Sequence, residues 1–503
     1  MTKKISNAVV ALMLIALVSS LAFAQGGAPA VQGAQPPSTK GAVVKGKAPV
    51  NKNVLKVKLP RAEEATLPNG LRVVLLRSTK VPTFNMQMVV LSGGLSDKPD
   101  YRGVASSTAS LLREGTAKRS SKDIAEQVDA LGATLIAGSG LSAMTSTISA
   151  AGLVENLDPT LELFADVIRN PTFPQAEVDK YKTRTLAQLQ FQRSIPQFLA
   201  AEQFQRAIYG TAHPAALIAT PAESIQKLTT KDLAEFHSTY YRPNNAILAI
   251  VGDVTLKDVM PKIEKAFGDW KKADVPAATI PQAPAQSASR ILLIDRPGSV
   301  QTVLQLGTLG IERTSADYFA VLLADRVLGG GPSGRLFLNL REDKGYTYGA
   351  YSTFGGSRFR GTWTSSSEVR TDVTEGAMKE FMYELNRLRT DTVPADELEN
   401  AKRAIVGSFA LSLEQPQALL QNIITQKLYN LPADYWDTYP QKVAAITAGD
   451  VQRVAQKYID MGHLQVVAVG DASKAREILA KYGKVEVYDA DGKLVAGPTQ
   501  NER

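Results

Sequence analysis

The residues best suited to contact a ligand lie within 328–348, where a glycine-rich segment precedes an arginine and a tyrosine. The glycines follow an apolar-periodic helix and end it, because they adopt backbone angles closed to other residues. A helical apolar face then resumes, and a turn at Gly345 separates Arg341 from Tyr348. The pattern predicts that a guanidinium and a phenol, both hydrogen-bond donors, face one groove. The glycines predicted to bind substrate beside them are Gly329, Gly330 and Gly331.

The same segment does not satisfy either of two phosphate-binding motifs. Gly329, Gly331 and Gly334 have the spacing of G-x-G-x-x-G, but that fingerprint requires a strand before the glycines and a helix precedes them here. A P-loop would require Lys and then Ser or Thr after the last glycine, and the chain has Arg335 and Leu336. The segment is therefore not predicted to bind a nucleotide.

Composition limits the class of protein. The chain has 503 residues, 44% of them apolar and 21% charged, which is ordinary for globular protein and too long for one hydrophobic core. Its net charge is +8, but no basic run has interleaved aromatic residues, so nucleic acid is not an expected partner. The absence of cysteine excludes disulfides and thiolate chemistry.

The first 24 residues have the pattern of a secretory signal. Lys3 and Lys4 precede an apolar run over 8–18, and the small residues Ala22 and Ala24 end it. This run is too short to cross a hydrocarbon core of ~30 Å as a helix, so it is not predicted to be a transmembrane segment. We expect cleavage after Ala24 and a periplasmic protein, with a flexible leader over 25–54 that is rich in Gly, Ala, Pro and Gln.

An internal repeat divides the remaining chain. The pattern of helix start, tyrosine and strand-ending Gly-Asp at 228–253 recurs at 446–471, at a constant offset of 218 residues. Adjacent antiparallel strands at 133–151 and 348–369 predict α+β rather than alternating α/β architecture. We expect two similar domains, each a mainly antiparallel sheet with helices packed on one face. The predicted boundaries are 55–272 for the first domain, 273–289 for a linker, 290–485 for the second domain and 486–503 for a tail.

Several short motifs together give the chain a family resemblance. They are L-P-N-G-L at 67–71, G-V-A at 103–105, G-T at 115–116, H-P at 213–214, T-P-A-E-S-I at 220–225, Y-R-P-N-N at 241–245 and L-R-E-D-K-G at 340–345. With these motifs the chain resembles the insulinase/pitrilysin family of inverted zinc peptidases, in its mitochondrial-processing-peptidase-like branch. The resemblance covers nearly all of 55–485 and implies a two-domain chain that forms half of a clamshell.

The catalytic motif of that family is degenerate here. Active members carry H-x-x-E-H on a helix, with two His ligands and a Glu base, and a further Glu ligand about 75 residues later. The resemblance places Ser106 and Ser110 at the two His positions, Ala109 at the base position and Gln188 near the distal ligand position. Neutral hydroxyl and amide groups are poor zinc ligands. We therefore expect no metal and no cofactor in this chain, with zinc in a partner subunit.

The resemblance implies a function through such a partner. The expected role is the non-catalytic subunit of a heteromeric metallopeptidase, a heterodimer or larger, whose H-x-x-E-H-containing member cleaves an unfolded peptide. In the family, Arg and Tyr of the facing C-terminal domain contact the substrate, and Arg341 and Tyr348 match those positions in trans. The alternatives are a surface ion pair of Arg341 with Glu342 or Asp343, a Tyr348 packed on the sheet, and a chain that is an inert peptide-binding or assembly scaffold.

Overall fold

A computed structural model describes residues 53–279, 282–286 and 288–496. The predicted signal peptide and most of the predicted leader lie outside these residues. The described residues from Val54 onward form one compact unit, which contains two open sheets with helices. No helix in the described ranges has the length and apolar content needed to cross a membrane.

The first sheet has six strands in the order β1-β2-β6-β3-β5-β4. Four of its five strand pairs are antiparallel, and β2 pairs with β6 in parallel. The strands are β1 Glu63–Thr66, β2 Arg72–Arg77, β3 Thr83–Val90, β4 Thr134–Ser139, β5 Ser146–Leu153 and β6 Ala246–Gly252. The helices of this half are α1 Val104–Leu111, α2 Ser121–Ala130, α3 Leu157–Arg169, α4 Gln175–Gln192, α5 Pro196–Tyr209, α6 Ala222–Lys227, α7 Thr230–Tyr240 and α8 Leu256–Phe267.

The second sheet has seven strands in the order β13-β12-β7-β11-β8-β10-β9, and it is also mainly antiparallel. The strands are β7 Arg290–Asp295, β8 Gln301–Leu309, β9 Thr347–Gly356, β10 Arg360–Arg370, β11 Gln465–Gly470, β12 Val485–Tyr488 and β13 Leu494–Ala496. The helices are α9 Tyr318–Leu328, α10 Thr374–Thr390, α11 Ala395–Ser412, α12 Pro416–Leu428, α13 Tyr439–Ala444, α14 Ala448–Tyr458 and α15 Ala472–Ala480. One helical turn, Arg335–Phe337, continues into a π-helix, Leu338–Asp343.

The predicted α+β class is confirmed, and so are the two antiparallel hairpins, formed by β4 with β5 and by β9 with β10. The repeat is confirmed in detail, because α7 and α14 both begin with a capping box at the offset of 218. Thr229 pairs with Asp232 in the first half and Thr447 with Asp450 in the second. The strands that follow, β6 and β11, each lie inside their sheet and are buried along their whole length.

Each half contributes one helix that packs on the sheet of the other half. The main core of each sheet lies against the helices of its own half. On the opposite face of the first sheet, Leu420 and Ile424 of α12 pack against strand residues such as Val74 and Val251. The reverse contact places α5 of the first half on the second sheet, where Phe204 joins the cluster. Both faces of the central strands are therefore buried, which explains their continuous apolar runs.

The second sheet continues past the predicted boundary at 485. Val485 and Val487 are buried, and β12 pairs in parallel with β7 while β13 pairs with β12. Residues 486–496, predicted as part of a tail, therefore belong to the sheet. Strands of four and three residues carry too little periodicity to be recognised without the neighbouring strand that completes their hydrogen bonds.

Candidate functional site

The resemblance places the catalytic helix of active zinc peptidases at α1. Its N-cap is Gly103, whose φ of 95° lies in the left-handed region, and a Cβ there would meet the side chain of Thr220 at 2.4 Å. The carboxylate of Asp97 accepts hydrogen bonds from the backbone N–H groups of Gly103 at 2.6 Å and Ala105 at 2.9 Å. Burial nevertheless raises the pKa of Asp97 to about 6. The start of α1 is thus fixed by backbone geometry and by a buried carboxylate.

The three degenerate positions on α1 carry no group that could bind zinc or move a proton. The Ser110 hydroxyl donates to the Ser106 carbonyl oxygen at 2.9 Å, so it is used within the helix. Ala109 is completely buried. A carboxylate base placed there would lie in the core instead of facing water, whereas a methyl group fits. This part of α1 therefore packs as an ordinary helix.

The second helix of the degenerate site is α4, which carries Gln188. The Tyr181 hydroxyl of α4 lies 3.1 Å from the Ser107 hydroxyl, which joins α4 to α1 through a buried hydrogen bond. Gln188 lies about two turns further along α4 and is exposed. The structure thus places α4 beside α1, as the resemblance requires, but does not identify Gln188 as the distal ligand position.

The histidines have other roles. His213 accepts a hydrogen bond at Nδ1 from the backbone N–H of Ala215 and so caps the short helical turn that begins at Pro214. His237 Nε2 lies 2.7 Å from the Ile168 carbonyl oxygen, and burial lowers the pKa of its imidazole to about 4. His463 pairs with Asp460 at 2.6 Å. Across the described residues no three His, Cys, Asp or Glu side chains gather into a group that could hold a metal ion.

The glycine-rich segment follows α9 as predicted and packs against β9. The backbone N–H of Ser352 donates to the Gly329 carbonyl oxygen at 2.9 Å, and a Cβ on Gly329 would lie 2.6 Å from that same nitrogen. A Cβ on Gly334 would lie 2.6 Å from the Gly329 Cα. These close approaches require glycine at both positions. They give the segment a structural role, and substrate binding by Gly329, Gly330 and Gly331 stays a prediction.

The buried carboxylate of Asp325 stabilises this packing. Asp325, near the end of α9, accepts hydrogen bonds from the Ser352 hydroxyl at 2.7 Å and from the Trp363 indole N–H at 3.1 Å. Burial raises the pKa of Asp325 to about 6. Its carbonyl oxygen also accepts from the backbone N–H groups of Gly329 and Gly330. Asp325 therefore ties the glycine loop to β9 and β10.

Arg341 lies on the π-helix with its side chain 46% exposed. Its guanidinium carbon is 4.7 Å from the centre of the Phe337 ring, and its Nε is 3.5 Å from the Glu342 carboxylate. The surface ion pair considered as an alternative is therefore present, although it is long and exposed and contributes little. The contact with Phe337 is the one that orients the guanidinium.

Tyr348 stands near the start of β9 and is 91% exposed, so it does not pack on the sheet as the alternative supposed. Its hydroxyl has no hydrogen-bond partner within the described part of the chain. The turn between Arg341 and Tyr348 is where predicted, at Gly345 with φ of 65°. Both donors are thus available at the protein surface, and their facing one groove stays a prediction.

The contact of the Arg341 guanidinium with the Phe337 ring was not predicted from the sequence. The Phe337 ring lies 5.6 Å from the ring of Tyr351 on β9, so the two rings join the π-helix to the sheet. The four-residue spacing of Phe337 and Arg341 was a usable signal, since it places an aromatic ring and a cation on one helical face. No sequence signal indicated Tyr351, because its contact depends on how β9 packs.

Two sheet-and-helix halves, each with one helix packed on the sheet of the other, define a two-domain α+β protein with open sheets. Family models identify it more closely. The insulinase (peptidase family M16) model matches residues 72–222, and the peptidase M16 inactive domain model matches 227–405. The chain belongs to the M16 peptidase family, as the motifs predicted.

Similar proteins agree with this assignment. The chain is 26% identical over 353 residues to an uncharacterized zinc protease of Bacillus subtilis, spanning 69% of this chain and 84% of that one. A similarly named protein of Streptomyces coelicolor is 27% identical over 400 residues, spanning 78% and 86%. A peptidase M16 inactive domain from Pseudomonas fluorescens superposes with a TM-score of 0.76 at 29% identity, over 82% of this chain and 98% of that structure. A Helicobacter pylori protease with a TM-score of 0.75 at 23% identity, over 82% of this chain and 100% of that structure, shares the fold.

Proposed function

We propose that this chain is the non-catalytic subunit of a heteromeric periplasmic zinc peptidase. In this role an H-x-x-E-H-containing M16 partner supplies the zinc and the general base, and this chain supplies the facing wall of the active-site chamber. The observation that carries the proposal is the combination of Ser106, buried Ala109 and Ser110 on α1 with an intact, exposed arginine and tyrosine in the second half.

Arg341 and Tyr348 suit the transition state of peptide hydrolysis. That reaction develops negative charge on the former carbonyl oxygen, and donors placed in advance lower its barrier. A guanidinium is always charged and holds its donors in a fixed fork, while a phenol adds one directional donor on a rigid ring. Because neither group needs a metal in its own chain, both can act in trans on substrate held at a partner's zinc.

The cellular location is part of the same proposal. The N-terminal pattern of basic residues, apolar run and small residues before Gln25 supports export and cleavage after Ala24. An intact mass of the periplasmic protein that begins at Gln25 is the expected result. A mass that still includes Lys3 and Lys4 would contradict the proposed location, without bearing on the subunit role.

Co-expression with an H-x-x-E-H-containing M16 protein of the same organism tests the subunit role. We expect a complex of defined stoichiometry by light scattering, with zinc bound in proportion to the partner and peptide hydrolysis faster than that of the partner alone. The purified chain alone is expected to retain no stoichiometric zinc after dialysis and to cleave no peptide. A chain that stays monomeric beside every such protein, and leaves their activity unchanged, would favour the scaffold alternative.

A further inference from the structure

The glycine loop, residues 329–334, lies directly over a buried carboxylate. A Cβ built on Gly330 would lie 3.2 Å from Oδ2 of Asp325, so the loop approaches this oxygen closely. The backbone N–H groups of Gly329 and Gly330 donate to the carbonyl oxygen of the same aspartate. Asp325 is only 8% exposed. The loop is therefore part of the cover that keeps water from this side chain.

The hydrogen bonds to the Asp325 carboxylate come from neutral groups. Oδ1 accepts from the Ser352 hydroxyl of β9 and from the Trp363 indole N–H of β10, whereas Oδ2 accepts from no described residue. A buried carboxylate is stable as an anion when a cation or several hydrogen bonds compensate for the lost water. With one oxygen left without a donor, the ionised form of Asp325 is costly while the loop is closed.

Arg326 does not supply the missing positive charge. Its Nη1 donates to the carbonyl oxygen of Gly330, so the guanidinium binds the loop instead of the neighbouring carboxylate. Its field lowers the pKa of Asp325, but the effect of burial is larger and raises that pKa to about 6. Asp325 forms no ion pair with any described residue.

Charged groups on the neighbouring helices have other partners as well. The ion pairs of α10, α11 and α14 nearest to α9 are Glu384 with Arg387, Arg335 with Glu397, Lys402 with Glu399, and Arg453 and Lys457 with Asp317. Asp317 lies at the opposite end of α9 from Asp325. The ionised carboxylate can therefore be relieved by water, and the glycine loop is the cover that can move to admit it.

We propose that the glycine loop is a pH-sensitive element, closed over the neutral Asp325 carboxyl in acid and loosened toward neutral pH, where the ionised carboxylate gains water by opening the loop. The proposal concerns this chain alone, so it does not depend on the proposed partner, on zinc or on peptide hydrolysis.

The sign and size of the effect follow from proton linkage. The closed loop holds a proton on Asp325 up to about pH 6, whereas a solvated aspartate loses it near its ordinary pKa of 3.8. Closure is therefore fully favoured below about pH 4 and is weakened as pH rises to about 6. The opening equilibrium rises about tenfold per pH unit in this interval, which is about a hundredfold in all.

Hydrogen exchange of the full mature chain between pH 4 and pH 7.5 tests the switch. The measured quantity is the protection of the amides of Gly329, Gly330 and Ser352, each divided by the intrinsic exchange rate at the same pH. We expect this protection to fall about a hundredfold from pH 4 to pH 7. Amides of β11, inside the second sheet, should stay better protected than the loop at every pH, because the opening is local.

A pair of aspartate variants assigns the effect. Asp325→Asn retains an acceptor for Ser352 and Trp363 but cannot ionise, so loop protection should become independent of pH. Asp97→Asn is the matched control, because burial also raises the pKa of Asp97 to about 6, but this residue binds the start of α1 in the first half. It should leave the hundredfold fall unchanged.

Three results would overturn the proposal. They are loop protection that does not change with pH in the wild-type chain, an unchanged fall in Asp325→Asn, and a loop that loses protection only together with β11. The Trp363 indole, which donates to Asp325, gives a further readout that needs no variant. Its fluorescence should change over the same pH interval as loop protection, and a fluorescence that stays constant from pH 4 to pH 7 would likewise contradict the switch.

Discussion

The guanidinium of Arg341 lies over the ring of Phe337, one turn earlier in the same helical segment, with 4.7 Å between the guanidinium carbon and the ring centre. Phe337 itself lies against Tyr351 of β9. A half-exposed arginine is thereby oriented without a strong ion pair, which leaves its donors free for another molecule.

The first prediction concerns Arg341 and Tyr348 in the assembled complex. If these donors act mainly on the transition state, Arg341→Ala or Tyr348→Phe lowers kcat by about 10²–10³ and leaves assembly unchanged. If they only hold substrate, KM rises and kcat is kept. Steady-state kinetics of complexes purified by size exclusion distinguish these outcomes.

Arg403→Ala is the control for Arg341, since Arg403 is an exposed arginine of the same half on α11. It is expected to leave both kinetic constants unchanged. A complex that carries both Arg341→Ala and Tyr348→Phe, assembles normally and retains wild-type kcat and KM would show that the pair has no part in catalysis.

The second prediction tests whether α1 and α4 retain the geometry of a zinc site. Ser106→His with Ser110→His places two imidazoles one turn apart, a spacing that binds zinc. Adding Gln188→Glu is expected to tighten zinc binding by about tenfold, because a third, anionic ligand completes the set. Competition with a chromophoric chelator measures the affinity.

Gln190→Glu provides the comparison for this series, because Gln190 is also exposed on α4 but points away from the position of Gln188 along the helix. An equal gain from either glutamate would mean that simple charge, and not ligation, causes the effect. No gain from Gln188→Glu would show that the distal ligand position is another residue.

The third prediction follows from Asp325. Burial raises its pKa from the ordinary 3.8 to about 6, so between these values the folded state holds a proton that the unfolded state has lost. Stability therefore falls as pH rises from about 4 to 6. Asp325→Asn keeps the acceptor for Ser352 and Trp363 and removes the titration, so the variant gains up to about 3 kcal/mol over wild type above pH 6.

Urea unfolding of wild type and Asp325→Asn at pH 4 and pH 7.5 checks this sign. The free energies of unfolding should be nearly equal at pH 4 and should separate at pH 7.5, with the variant the more stable. A variant that is less stable by the same amount at both pH values would mean that hydrogen bonding, and not the buried charge, dominates at this position.

The fourth prediction concerns α12, the helix of the second half that packs on the first sheet. Leu420 is completely buried against the first sheet, so Leu420→Ala should cost about 2–5 kcal/mol. The loss should appear as faster hydrogen exchange in β2, β3 and β6, although the substitution lies in the other half of the chain. Leu411→Ala, at a leucine that is 76% exposed on α11, is the control and should change neither quantity. Faster hydrogen exchange that is confined to the second half would contradict the packing of α12 on the first sheet.

Several local features of the chain were determined by the sequence. The start of α7 at Thr230 and of α14 at Ala448 follows from a capping threonine and an aspartate three residues later, which are local interactions. The turn at Gly345 follows from the backbone freedom of glycine, whereas Gly329 after α9 has an extended φ of -173° and is required by its close approach to Ser352. The serines and alanine on α1 could be recognised because the degenerate motif is defined by residue types at fixed spacing.

The tertiary structure decided the features that depend on residues far apart in the chain. Each sheet is covered by a helix of the other half. In the first sheet, Leu420 packs in the same cluster as Val74, and these positions are more than 340 residues apart in the chain. Short β12 exists as a strand only because β7 supplies the neighbouring hydrogen bonds, and β13 in turn pairs with β12. Arg335 pairs with Glu397, and both line one cavity, because of how α11 packs. The spacing of apolar residues along a helix specifies which face is buried, but it does not specify the partner that buries that face.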